Sequence, residues 1–251
     1  MNNLQETLLF PFQDDDARKQ FLFACLVGLV GFIIPIIPML FLMGYSVKIM
    51  RQIIEERKSP SMPDWQTSDW SEMFMDGLRV YGAQFILMLP VILIMGFGIL
   101  SMMSGSIAAT VSLSDNGQSI GPFGMSAFLL GIVFIMLFSV ISLPYSIIVS
   151  TVVPHVATTR SFESAFRFKE WWSIFRKGLG QFILAYVITM VVSWVLMIVM
   201  QFAMMTIILL CIVPFIMIPY TAYVTILRSV LYAQAYTIGA DNLKAEQHAA
   251  A

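Results

Sequence analysis

Three carboxylates, Asp69, Glu72 and Asp76, are spaced best for chemistry, because intervals of three and four gather them on one side of a helix. Such a set could hold a divalent cation or a polar headgroup. It also matches a solvated helix face lying opposite Trp70 and Phe74, and those aromatic anchors favour the plainer reading. The triplet Asp14-Asp15-Asp16 could likewise take a cation, but acids just before an apolar run read as a helix start, where negative charge meets the positive dipole end. His155, next to Pro154, could ligate haem or a chlorophyll-type pigment as neutral imidazole. A lone histidine at the end of an apolar run reads more readily as a hydrogen-bonded structural residue. Cys25 and Cys211 sit inside apolar runs and behave as small hydrophobes, so no disulfide is expected. The 19 methionines are dispersed, which suits adaptable packing better than copper handling. No His-Glu-x-x-His, Cys-x-x-Cys, phosphate-cradling loop or serine elbow is present. No ionisable residue falls clearly at the middle of a long apolar run, which counts against a proton-coupled pump, an intramembrane protease of metal or aspartyl type and a charged ion pathway. The expectation is a non-enzymatic protein with no catalytic residue, metal or cofactor.

The elements that must carry these residues follow from composition. With 59% hydrophobic and 12% charged residues, the chain holds about half the charge of an ordinary soluble domain. Several apolar runs exceed the ~18 residues that a bilayer crossing needs. The fold class is therefore all-α, a polytopic helical membrane protein. Five transmembrane helices are predicted at about 20–47, 80–104, 125–157, 180–202 and 205–227, in one membrane domain over 20–230. Residues 1–19 form an interfacial or solvent segment, and 231–251 a soluble, frayed tail. Pro35 and Pro38 interrupt the first run; a single kinked span is favoured over a re-entrant hairpin, because each half is short for a crossing. That run is read as a retained span rather than a cleaved signal, since the aspartate triplet precedes it.

Between the spans lie two collars. The first carries Lys48, Arg51, Arg57, Lys58 and Arg79, with Pro60 and Pro63 ending the helix that leaves the membrane. Asp69 and Glu72 resemble a capping box that opens an amphipathic surface helix over about 69–79. The second carries Arg160, Arg167, Lys169, Arg176 and Lys177, and Ser161 can cap a surface helix over 161–179 whose stripe is Ala165, Phe168, Trp172, Phe175 and Leu179. Tyr45, Trp65, Trp70, Phe74, Trp171, Trp172 and Phe175 are expected as interfacial anchors. Lys48, Arg51, Arg57, Lys58, Arg167, Lys169, Arg176 and Lys177 are expected to touch lipid headgroups. Ser142, Ser146 and Ser150 recur every four residues as a helix-packing face, and Gln84 and Gln181 are read as interhelical hydrogen-bond glue. Turn signals mark Asp115-Asn116-Gly117, Gly121-Pro122 and a tight turn near Gln201 to Thr206.

Residues 70–78 align without gaps on 171–179 at Trp, Phe, Gly and Leu, and both copies are followed by Gln-Phe-Ile-Leu, at 84–87 and 181–184. A duplicated unit of span, interfacial helix and span is inferred. Placing both basic collars in the cytoplasm puts the C-terminus inside and, with five spans, the N-terminus outside. Gly44-Tyr45 closing the first span, Lys48 and Arg51, Pro63-x-Trp65, Trp70, Phe74 and Asp76-Gly77-Leu78 together resemble a prokaryotic multi-span membrane family known as domain of unknown function four-zero-one-three. The resemblance runs from about residue 10 to the fifth span, with Met62 departing from the leucine common there. It implies a multi-pass protein of the inner (plasma) membrane and no reaction. The expected function is a structural or accessory subunit of a membrane complex, anchored to the cytoplasmic leaflet, with a transporter or lipid-handling pathway between two repeats as the alternative. Expected partners are membrane lipids and other membrane subunits or a second copy; nothing suggests nucleic acid.

Overall fold

The computed structural model describes residues 4–31, 34, 36–66, 69–114, 122–204 and 213–250. Among them there is helix and no strand: α1 (Leu4–Leu9), a 3-10 turn (Phe10–Phe12), α2 (Asp15–Val30), α3 (Ile36–Ile54), α4 (Trp70–Ser114), α5 (Pro122–Thr159), a second 3-10 turn (Phe162–Phe166), α6 (Phe168–Met204) and α7 (Val213–Ala250). Five stretches are long and apolar enough to cross a membrane: Ile36–Ile54, Trp70–Ala108, Gly124–Thr159, Phe168–Phe202 and Phe215–Ala249. The chain is an all-α membrane protein.

The first apolar run is two helices, not one kinked span. Asp14 caps α2 by accepting a hydrogen bond from the Ala17 amide at 2.6 Å, and Asp15 and Asp16 pair with Arg18 and Lys19 at 3.3 and 3.0 Å. The acidic triplet thus starts a helix. Pro38 falls in the first turn of α3, where its missing N–H would have had no intrahelical partner. Residues 32, 33 and 35 lie outside the described ones. The two helices run antiparallel: Gln20 near the start of α2 and Tyr45 in the second half of α3 meet at Trp65, while at the other end a Cβ on Gly31 would lie 3.9 Å from Pro38. Short paired helices are tolerated here because both pack on α7, so protein covers one side of each.

The two surface helices are also not separate elements. Residues 69–79 lead directly into α4, and 168–179 are the opening turns of α6. Ending a helix at a lipid boundary exposes up to four carbonyls without partners, and continuing it into the span satisfies them. Ser161 supplies no side-chain cap; its carbonyl instead accepts from the Ser164 hydroxyl at 2.6 Å. The tail expected to fray is the last part of α7, helical to Ala250. The turn signals at 115–117 and Gly121, and the turn near 201–206 beyond Met204, fall outside the described residues.

The helices form two compact units, residues 1–84 with 150–251, and residues 85–149. In the first, the core follows α7, where Ile226, Leu227, Val230 and Leu231 are fully buried against α6, α3 and α2. Two glycine crossings pin its helices. A Cβ on Gly77 would run into the Leu40 carbonyl and one on Gly44 into the Met73 carbonyl, so α3 and α4 touch backbone to backbone. A Cβ on Gly178 would lie 3.0 Å from the Cα of Gly239, which joins α6 to α7. The aligned glycines of the two collar segments therefore do the same work, although the partner helix precedes the first and follows the second.

In the second unit, a Cβ on Gly105 would meet the Phe128 nitrogen at 2.6 Å and one on Gly131 the Met102 nitrogen at 2.7 Å, while the Ser101 hydroxyl reaches the Ala127 carbonyl at 2.9 Å. Tyr145 donates to the Leu87 carbonyl. Glycines make this close approach, whereas Ser142 and Ser146 bond carbonyls of their own helix, Ser139 at 3.2 Å and Leu143 at 2.8 Å. Ser150 belongs to the first unit and is buried there.

Candidate functional site

The strongest concentration of polar chemistry lies where α3 and α4 meet. Lys48 and Arg51 are one turn apart on α3 and face Asp69, Glu72 and Asp76 at the start of α4. The Lys48 ammonium is 2.7 Å from Asp69 and donates to the Asp64 carbonyl at 3.2 Å. Arg51 binds Asp76, lies 3.4 Å from Glu72, and donates through Nε to the Ala157 carbonyl at the end of α5 at 2.8 Å. Arg79 adds a second contact to Asp76 at 3.0 Å, and Arg160 stands 3.7 Å from Glu72. Asp76, expected on a solvated face, is only 4% exposed. The acidic trio is therefore the counter-charge of the basic collar. Its amphipathic spacing looked the same in sequence because acids facing water and acids facing arginines use the same helical positions.

A cleft of about 190 Å³ opens on this cluster, lined among others by Lys48, Arg51, Glu55, Asp69, Glu72 and Arg160. Arg51 Nη2 is buried with no hydrogen-bond partner among the described residues. Among the described residues, no group of three or more His, Cys, Asp and Glu side chains is placed to hold a metal ion.

An aromatic clamp fixes the chain between α3 and α4. Tyr45 is fully buried, stacks on Trp65 at 4.2 Å and 9°, and donates to the Pro63 carbonyl at 2.8 Å. Trp65 donates to the Gln20 carbonyl at 3.2 Å and packs on Phe23, while the Gln20 amide donates to Asp64 at 2.7 Å. Trp70 and Phe74 sit on Phe41 at 5.4 and 5.5 Å. Of the expected interfacial anchors, Tyr45, Trp171 and Phe175 are instead buried; Trp171 donates to the Ala165 carbonyl at 3.1 Å. Trp70 and Trp172 remain exposed.

Most cations expected at headgroups are engaged within the protein. Besides Lys48 and Arg51, Arg57 makes a two-pronged contact with Asp241 at 2.7 Å on each arm, and that bond raises its guanidinium above the ordinary value. Lys58 lies 2.5 Å from Glu56, Arg167 3.6 Å from Glu170, and Lys177 2.6 Å from Glu246. Lys169 and Arg176 are exposed and have no ion pair among the described residues. Asp241 and Glu246 could not be read as partners, since 184 residues separate Arg57 from Asp241 and no local spacing links them.

Among the described residues, Gln181 Oε1 is buried without a hydrogen-bond partner and no hydrogen bond from Gln84 is seen. His155 is buried, with Nδ1 2.9 Å from the Tyr236 hydroxyl and Nε2 3.4 Å from the Glu170 carboxylate. Nδ1 is hydrogen-bonded and Nε2 is buried near Glu170 without a formed hydrogen bond among the described residues, at the meeting of α5, α6 and α7.

A family model for a protein of unknown function, DUF4013, matches residues 27–209. The chain belongs to the DUF4013 family. The match takes in Gly44-Tyr45, the Arg51–Asp76 cluster, Trp65 and both aligned collar segments, while Gln20 and Phe23 of the clamp precede it and Asp241 and Glu246 follow it. No curated protein and no solved structure matches the chain.

Proposed function

We propose that this DUF4013 protein is a non-enzymatic structural or accessory subunit of a membrane complex in a prokaryotic cell membrane, anchored to the cytoplasmic leaflet with its collars and C-terminus in the cytoplasm. The observation that carries this reading is the pairing of collar cations within the protein: Lys48 on Asp69 and Arg51 on Asp76 inside the first collar, Arg57 on Asp241 and Lys177 on Glu246 at the end of α7. Groups that could have done chemistry instead tie helix ends together, as expected of a scaffold held in register at the leaflet surface. The mixed-charge cleft beside Arg51 favours a second reading, passage or handling of a small polar or lipidic molecule.

Purification in native lipid, with electron microscopy and mass spectrometry on the same sample, separates the two. Partner chains present in fixed stoichiometry support the subunit reading. A lone chain or homo-oligomer with a small molecule held in the cleft would sink it in favour of transport or lipid handling.

A further inference from the structure

We propose that Lys169, Trp172 and Arg176, on the outer face of the first turns of α6, bind the headgroup of one anionic phospholipid, whose acyl chain lies along Leu179 and Ile183. Intervals of three and four place the three headgroup residues on one helical face. The same spacing carries the face onward through Leu179 and Ile183, both exposed. Packing fixes its direction. Trp171, Phe175 and Phe182 are buried and Gly178 is held against Gly239, so α6 cannot turn this face inward.

The charge accounting selects these two cations from the collars. Lys48, Arg51, Arg57, Lys58, Arg79, Arg160, Arg167 and Lys177 each stand within ion-pair distance of a carboxylate. Among the described residues Lys169 and Arg176 do not, and they flank an exposed indole at the start of a stretch apolar enough to cross the membrane, Phe168–Phe202. That boundary is headgroup level, where tryptophan prefers to sit and where cations meet phosphate. The exposed apolar strip below argues for a lipid rather than a free phosphate, which has no tail to cover it.

The proposal rests on the membrane reading above, and its test keeps the two apart. The full-length protein in detergent is titrated with phosphatidylglycerol and with phosphatidylcholine, and bound lipids are counted by native mass spectrometry. For the variant Lys169→Gln/Arg176→Gln, phosphatidylglycerol binding is expected to weaken about thirtyfold, the combined effect of two well-placed charges at the leaflet surface. A control, Arg57→Gln/Lys177→Gln, removes the same charge from paired positions and is expected to change binding by less than about threefold. Equal losses in the two variants, equal binding of phosphatidylcholine, or displacement by millimolar inorganic phosphate each overturn the proposal. Both substituted side chains are exposed, and circular dichroism is used to check that each variant folds. Separately, release of the protein from native membranes by alkaline carbonate would overturn the membrane reading itself; retention without lipid preference sinks only the lipid site.

Discussion

Asp76 and Arg51 show how far a residue's surroundings change its meaning. An exposed pair such as Arg57–Asp241 is solvated on both sides and contributes at most about 1 kcal/mol. Arg51 and Asp76 are 11% and 4% exposed, so removing one charge leaves the other buried with only its weaker or more exposed partners, Glu72 for Arg51 and Arg79 for Asp76. Asp76→Asn is expected to cost about 3–5 kcal/mol in unfolding experiments at constant detergent, whereas the apolar double replacement Arg51→Met/Asp76→Leu should recover most of that loss. If Asp76→Asn costs no more than Arg57→Gln, the buried pair is not the tie described. Tyr45→Phe removes the bond to the Pro63 carbonyl inside the aromatic clamp, and a loss of about 1 kcal/mol is expected in the same assay. The residue types at this site were legible in the sequence. Their partners were not, because a carboxylate at a helical spacing says nothing about which neighbouring helix it faces.

At the level of elements, the glycines separate positions where backbone touches backbone from positions that merely lack a side chain. Gly44→Ala and Gly77→Ala drive a methyl group into a facing carbonyl, and each should destabilise by about 1–3 kcal/mol or more. Gly96 and Gly180 have nothing within 4 Å of a built Cβ, so alanine there is expected to be neutral or to stabilise by up to about 1 kcal/mol through helix propensity. Thermal unfolding of the four variants side by side tests the crossing. Equal effects across the set would remove the argument for it. The sequence located the aligned Gly77 and Gly178 and the apolar spans between collars. It misplaced helix ends, because the amphipathic pattern of a surface helix is the same whether or not the next turn continues into lipid, as α4 and α6 do.

For the whole molecule, the antiparallel α2 and α3 change the sidedness. Gln20 meets Trp65 at the collar, and Arg57 and Lys177 reach Asp241 and Glu246 on the last part of α7. The start of α2, both collars and the end of α7 therefore lie at one end of this unit. In a background with Cys25 and Cys211 replaced by serine, single cysteines at Gln13, Ser61 and Gln247 are expected to react with a membrane-impermeant maleimide from the same side of sealed vesicles. Labelling of Gln13 from the side opposite to Ser61 would restore the outward N-terminus expected from five simple crossings.

The sequence by itself determined the class of this protein: a chain so apolar, with charge confined to short collars, must place its helices in a membrane, because water cannot solvate that much hydrocarbon. It also held the collar residues on which the resemblance to the family was read, and the family model matches residues 27–209. Only the tertiary structure decided that Arg51 closes on Asp76, that Tyr45 stacks inside rather than at the interface, and that the proline-bearing first run turns back on itself. Burial in a helical membrane protein is set by which helices touch. Helical periodicity fixes the face of each helix but leaves open whether lipid, water or another helix covers it.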